Sequence, residues 1–374
     1  MKEVLKILFK HDTQNTEDAP STAILPCLAE IAKHLRAENI RVELQKYEVV
    51  SRIGEKITHA NLFAYRPSHK GQHILFQGHI DTVPFDGSYH YSLDEKFIVG
   101  RGAVDMKGPL AGAISAFKEL ACDDSLKYPP ALLITGDEEA NAFAGIKNFL
   151  QTNQHPIAFA INGEPTNLKV ATEFRGISIY DMEMSGHARH SSSPDNDKLI
   201  ERTIPLLNAI QHFLDEVRKI KNDTLGETIA ALTLLNAGVK ANQLPENLRI
   251  AFNLRTVTAS ECYKNLYREI ISPHLPQGMK VKHFSFDPVH AKIPETYSAS
   301  IVAAFKKNSI LYDTTPVNAF TEATLMNQSG IPSFDLGPGN MLLAHVRQED
   351  ECISLRDIET YHGLLVGIVK QCSL

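Results

Sequence analysis

Residues 73–81 read HILFQGHID. A short apolar run ends at Gly78, and His79 and Asp81 lie just beyond it. Such a run predicts a strand buried on both faces, with two polar residues delivered to its carboxyl end. The pattern recurs. ALLIT (131–135) is followed by GDEEA, IAFAIN (157–162) by GEPT, and IPSFDL (331–336) by GPGN. Between the runs, GPLAGAISAFKELA (108–121) reads as a small-residue helix packed on a sheet, and 136–150 as a loop followed by a helix. Strand–loop–helix alternation of this kind predicts an α/β domain with a mostly parallel sheet.

Working outward, TAILPCLAEIAKHLRAE (22–38) repeats apolar residues at helical spacing, and RVELQKYE (41–48) alternates like a strand. Residues 355–372 form a closing helix. The texture changes near Arg175. GISIYDMEMS (176–185) alternates, an amphipathic stretch follows at 198–221, and strand-like runs recur at 228–235, 247–256 and 279–286. This predicts a small α+β sandwich, ferredoxin-like in order, inserted as residues 176–288 into a first domain made of 1–175 and 289–374.

Composition narrows the function classes. A chain of 374 residues with 43% apolar residues and a net charge of −6 reads as a soluble two-domain protein. It has no Lys/Arg block, which argues against nucleic acid as a partner. No apolar run approaches the ~18–20 residues that cross a bilayer. The start, MKEVLKILFKHD, has no long apolar region and no small-residue cleavage site, so it reads as a helix and not a signal peptide. Cys27, Cys122, Cys262, Cys352 and Cys372 are scattered without a CxxC pair. That fits a reducing cytoplasm and disfavours a cysteine metal site.

The chemistry-bearing residues share one placement. His79 and Asp81 (GHIDTVP), Asp105 (GRGAVDMKG), Glu138 and Glu139 (TGDEEA), Glu164 (NGEPT) and His345 (GPGNMLLAH) each follow a buried run or sit in a glycine-marked loop. In an open α/β sheet such loops converge on one crevice. Taken singly, each Asp reads as a cap or turn residue, the Glu pair as a solvated face, and each His as a structural residue. Taken together they are many carboxylates in one place, which a bound cation stabilises. Imidazole and carboxylate without thiolate suit zinc or a similar divalent ion.

These five motifs, in this order, resemble the zinc amidohydrolases of the acetylornithine deacetylase and succinyl-diaminopimelate desuccinylase family. The resemblance implies two zinc ions per subunit, with cobalt able to substitute. His79 and Glu164 would bind the first ion and Glu139 and His345 the second. Asp105 would bridge both, beside a cis peptide to Met106. Glu138 would be the general base acting on zinc-activated water, and Asp81 would hydrogen-bond His79 and orient its ring. Arg255 (FNLRT) matches an arginine that grips a substrate carboxylate, its alternative being an exposed strand residue. Asn242 (ANQLP) matches a residue that points at substrate, its alternative being a turn. Gly337, Gly339 and Asn340 either offer backbone N–H groups to substrate or only form a tight turn.

VPFDG (83–87), HSSSP (190–194) and FTEA (320–323) resemble the acetylornithine deacetylase branch. Glu322 in the last would face a substrate ammonium, or else simply begin a helix. The implied reaction is hydrolysis of an N-acyl amino acid, foremost N-acetylornithine to ornithine and acetate in arginine biosynthesis. The alternatives are desuccinylation of succinyl-diaminopimelate, a dipeptidase on the same metals, or a binding protein that has lost catalysis. In SGHARH (185–190) the family pattern G-x-x-G-H makes His190 an oxyanion donor reaching across a homodimer formed by the inserted lid domain. His187 is a bystander. Arg189 stands where the pattern has glycine, and it would be strained if that position required φ > 0.

Overall fold

The computed structural model describes residues 1–374 except 38, 52–53, 141–142 and 195–197. The chain divides into two compact units. One is Met1–Thr172, Ala291–Thr315 and Thr321–Leu374, and the other is Glu173–His290 and Pro316–Phe320. Residues 316–320, which the sequence reading placed with the first domain, belong to the second unit.

The sheet of the first unit runs Arg41–Val50, Lys56–Tyr65, Pro130–Thr135, His73–His79, Ile157–Asn162, Ser333–Asp335 and Val170–Phe174. The expectation of a mostly parallel sheet needs correction, because the sheet is mixed. Pro130–Thr135, His73–His79, Ile157–Asn162 and Ser333–Asp335 pair in parallel, and the flanks are antiparallel. The physical reason is the connection length. This holds for the Arg41–Val50 edge, where only residues 51–55 intervene before Lys56–Tyr65, and so short a connection joins antiparallel strands. The strand Lys56–Tyr65 was not expected, since His59 and Asn61 interrupt its apolar residues. Both are buried and each finds one partner: a His59 ring nitrogen lies 2.9 Å from Ser21 O, and Asn61 donates to Gly145 O at 2.8 Å.

Helices cover the parallel centre, as its continuous burial requires. Helix Lys107–Leu120 is rich in Gly and Ala, and this lets helix Leu355–Cys372 approach closely. A Cβ at Gly112 would lie 2.9 Å from the Tyr361 ring. Ser354 caps the latter helix, its hydroxyl accepting from Arg356 N. The early helix is Ile24–Leu35, and the expected end at Glu38 lies outside the described residues.

The second unit follows the order strand Gly176–Ser185, helix Leu199–Val217, strands Ile229–Ala237 and Asn247–Thr256, helix Ser260–Ile270 and strand Lys280–Phe286. Numbered one to four along the chain, its strands lie in the order 2-3-1-4 and are all antiparallel. This is the ferredoxin-like arrangement. Asn247–Thr256 alternates strictly: Leu248, Ile250, Phe252 and Leu254 enter a core with Tyr180 and Phe213, and Arg249 and Arg255 take the other face.

His73 opens the central strand with its ring 1% exposed. Burial, together with the neighbouring His69 and His155, pushes its pKa down to about 4 from the usual 6.5. The unfolded chain therefore takes up a proton first, and stability is lost as pH falls from 6.5 toward 4. A His73→Asn variant should gain on wild type by on the order of 2–3 kcal/mol between pH 7 and 4.5. Paired urea unfolding curves measure this, and a pH-independent difference would contradict it.

Candidate metal centre

Register builds the site. His79 ends the central strand, level with Thr135 on one neighbouring strand. Gln77 is level with Asn162 on the other, and Asn162 with Asp335 beyond it. Two residues further along the second of these strands comes Glu164, on a loop that leaves at the same end. Asp105 sits in the turn before helix Lys107–Leu120, and the peptide Asp105–Met106 is cis, as expected.

The side chains converge. His79 Nε2 is 3.0 Å from Asp105 Oδ1 and 3.7 Å from Glu164 Oε1. His345 Nε2 is 3.1 Å from Asp105 Oδ2 and 3.0 Å from Glu139 Oε1. Asp105 thus turns one oxygen to each imidazole. Three triads bring their donor atoms within 4.8 Å of one another: His79–Asp105–Glu164, Asp105–Glu139–His345 and His79–Glu138–Glu139. The first two share Asp105 and together use all five residues expected to be ligands.

The electrostatics fit a cation. Burial raises Glu138 and Glu164 well above the carboxylate range, and repulsion from Asp105 adds to this. Burial opposes charge on the two imidazoles, but the carboxylates beside them outweigh it. His79 is held well above its usual value by Asp105 and Asp81, and His345 is pushed up to about 11 by Asp105 and Glu139. Protons are thus drawn into a cluster whose donors are all imidazole nitrogen or carboxylate oxygen. A divalent ion relieves the same repulsion with the ligand types it prefers.

Asp81 does a different job from the expected one. Its Oδ1 is 3.6 Å from His79 Nδ1, and it is the Asp81 carbonyl oxygen that lies 2.9 Å from that nitrogen. Its carboxylate instead accepts from the backbone N–H of Glu138 at 3.2 Å and of Glu139 at 3.0 Å, and from Asn15 Nδ2 at 3.0 Å. Asp81 therefore sets the backbone that carries both glutamates. Asn15, which the sequence reading missed, also donates to Asp137 at 3.1 Å.

Glu322 follows the second of its two readings and begins the helix Glu322–Gln328. It is 1% exposed, and its Oε2 accepts from Gln77 and from Thr135 Oγ1. Burial pushes its pKa up to about 7. It belongs to a buried polar layer with Gln77, Asn162 and Asp335, and does not stand open to a substrate ammonium.

The glycine loop also resolves toward structure. Gly337 N donates to Thr166 Oγ1 at 3.1 Å, and Asn340 Oδ1 accepts from Leu342 N at 3.0 Å. Gly337 O and Gly339 O accept from Leu168 and Asn167. The Gly337 and Gly339 bonds tie the loop to the segment after Glu164 and occupy the Gly337 N–H, so for Gly337 the tight-turn reading holds.

His190, Asn242 and Arg255 lie in the second unit. Ser191 N donates to Asn242 O at 3.0 Å and Leu244 N to Arg189 O at 2.7 Å, so the His190 and Asn242 loops form one structure. The His190 ring is exposed, with Nδ1 2.7 Å from Ser192 Oγ. Arg189 is not among the non-glycine residues with positive φ. The strain that arginine would carry in place of glycine therefore does not arise.

Residues 75–371 match Peptidase family M20/M25/M40. The chain belongs to this family. It is an M20 hydrolase, and the M20 centre is that of a metal-dependent peptidase or amidohydrolase. The chain is 29% identical to acetylornithine deacetylase of Buchnera aphidicola subsp. Schizaphis graminum over 79% of its own length and 80% of the relative's. It is 28% identical to a probable carboxypeptidase of Neosartorya fischeri over 78% and 68%. Among solved structures, human carnosine dipeptidase 1 superposes with TM-score 0.77 at 15% identity, covering 100% of this chain and 96% of that one. The di-peptidase Dug1p of Saccharomyces cerevisiae does so with 0.78 at 12%, covering 100% and 95%. These two likenesses establish the M20 fold.

Gly337 is where the M20 centre tolerates least. A Cβ there would lie 2.1 Å from Gly163 O and 2.4 Å from Glu164 O. Gly337→Ala should cost about 1–3 kcal/mol by overpacking and lower metal content by displacing Glu164. Urea unfolding and metal analysis of the purified protein check both effects.

Proposed function

We propose that this enzyme removes a short acyl group from the α-nitrogen of an amino acid, N-acetylornithine foremost, giving ornithine and acetate for arginine biosynthesis. One observation carries the reading. Asp105 is shared by two triads that close without Glu138, so Glu138 stands beside the pair and is not consumed by it. The deacetylase relative, the first motif loop VPFDG and the serines after His190 support the substrate.

In this reading His79, Asp105 and Glu164 hold one zinc ion, and Asp105, Glu139 and His345 hold another. When bound, the ions supply Lewis-acid polarisation of the scissile carbonyl and acidify water. Glu138 takes the proton of the attacking water and returns it to the departing amine. Asp81 keeps Glu138 in place through the backbone. Arg255 grips the substrate carboxylate bidentately, Asn242 contacts the substrate, and the partner subunit's His190 donates to the oxyanion. Glu322 has no substrate role here.

The second unit presents the edge strand Ile229–Ala237, on which Ile229, Leu232 and Leu235 are 47%, 42% and 49% exposed. We propose that a second copy covers this edge, since an unpaired apolar edge invites pairing. The relatives also support a second substrate reading, peptide hydrolysis on the same residues, because a carboxypeptidase matches at nearly the same identity.

A panel of N-acetylornithine, N-succinyl-diaminopimelate and unblocked dipeptides, assayed with zinc or cobalt, separates these readings. Fastest turnover is expected on N-acetylornithine, and preference for free dipeptides would replace the deacetylase reading with the peptidase one. Glu138→Gln should keep its metal yet lose about 10²–10⁴ in kcat; normal turnover would refute the base assignment.

His190→Ala should lower kcat by about 10²–10³, whereas His187→Ala should do little. Equal effects would overturn the assignment. Light scattering at the single-chain mass of 41.5 kDa would exclude the dimer.

A further inference from the structure

The two halves of the candidate centre are built differently. His79 ends a strand with parallel neighbours on both sides, and Glu164 follows directly from another. His345 instead sits in an irregular segment after the short turn Met341–Leu343 and before the strand Cys352–Ser354. It is a non-glycine residue at φ 60, a conformation that persists only where surroundings impose it. Asp105 likewise lies in a turn. Some other structure must hold these two loops in register.

Arg101 and Glu351 provide it. They are 3% and 0% exposed and form a buried ion pair, Arg101 Nη1 donating to Glu351 Oε2. The other Glu351 oxygen, Oε1, accepts from three backbone N–H groups of the Asp105 turn: Gly102 at 3.0 Å, Val104 at 3.1 Å and Asp105 itself at 3.3 Å. Arg101 Nη2 donates to the carbonyl of Val346, the residue after His345, at 2.7 Å. A further bond runs from Gly100 N to Glu351 O at 2.9 Å. One planar guanidinium and one carboxylate thus join the backbone under Asp105 to the backbone beside His345. Only a rigid two-pronged donor spans both acceptors at once, and the compact ammonium of lysine does not.

We propose that the Arg101–Glu351 pair is a positioning element for the metal position formed by Asp105, Glu139 and His345, and that it sets the affinity of that position far more than that of the position formed by His79, Asp105 and Glu164, which shares Asp105 but takes its other two donors from strand ends. This rests on the two-metal reading above. Both residues act through the backbone of the donors and touch neither substrate nor reacting atoms.

Zinc titration of the metal-free full-length protein by calorimetry tests it, with His345→Ala as the reference for losing that position. Arg101→Lys keeps the charge opposite Glu351 but cannot bridge to Val346. Glu351→Gln keeps an acceptor oxygen for the three N–H groups but loses the ion pair, and it provides a second route to the same test. In each variant one equivalent of zinc should bind within about threefold of wild type. The equivalent lost in His345→Ala should weaken by roughly 10–100-fold, the usual effect of removing a group that orients a ligand. The thermal unfolding of the metal-free variants, followed by circular dichroism, should stay cooperative. Equal weakening of both equivalents, or no weakening of either, overturns the proposal. Wild-type protein that binds fewer than two equivalents overturns the two-metal reading itself, and the proposal with it.

Discussion

Everything in the first unit answers to the repulsion among Asp105, Glu138, Glu139 and Glu164, gathered with two imidazoles at one end of a parallel sheet. In a medium of low polarity that many carboxylates cannot all be charged without a partner. The cluster draws protons onto Glu138, Glu164, His79 and His345. A divalent cation meets the same demand with better geometry. The fold contributes the precondition, because parallel strands deliver all their following loops to one edge. The four-stranded parallel centre is therefore the part of the sheet that the candidate site needs, and the antiparallel flanks lie outside that requirement.

Beneath the candidate ligands lies a second polar row. Gln77, Asn162 and Asp335 are level with one another on three adjacent strands, and Glu322 closes over them through Gln77 and Thr135. Asp335 accepts from Asn162 at 2.9 Å and from Thr321 at 3.2 Å, and burial pushes its pKa up to about 8. A row of largely neutral hydrogen-bonding groups stiffens the strand ends without adding charge to a region already crowded with it. Glu322, acidic in sequence, is part of this buried row.

The legibility of these features in the sequence follows their physics. Of the candidate ligands, His79, Glu139 and Glu164 were readable because each follows closely on an apolar run, and a run of that kind has one meaning in a covered sheet, whereas Asp105 and His345 were marked by glycine-rich loops. The polar row was readable in principle from the same period of two. Gln77 precedes His79 by two residues on one strand, which places both on one face. The strand Lys56–Tyr65 was hidden because its buried His59 and Asn61 find partners, Ser21 and Gly145, that lie far away in the chain. For Asn15, Arg101 and Glu351 the difficulty was of the same kind. Their roles depend on meeting residues dozens to hundreds of positions away, and no local pattern marks that meeting. Asp81 was found but misread, since spacing shows that it is near His79 and not which way its carboxylate turns.

That misreading bears on how the centre divides its labour. If Asp81 oriented His79, its loss would be felt at one metal ligand. With its carboxylate on the N–H groups of Glu138 and Glu139, it governs instead the relation between a proposed ligand and the proposed base. These two adjacent residues must point in different directions, one to a cation and one to a water. Adjacent side chains diverge reliably only when the backbone between them is fixed, and two N–H groups bound to one buried carboxylate fix it. Asn15 secures Asp81 in turn, and it also holds Asp137, the residue before the pair, whose other oxygen accepts from Ala144 N at 3.0 Å. The separation of ligand from base, on which a hydrolytic cycle depends, is thus enforced from the N-terminal segment by neutral and charged hydrogen bonds. The chemistry itself needs only a carboxylate at each place.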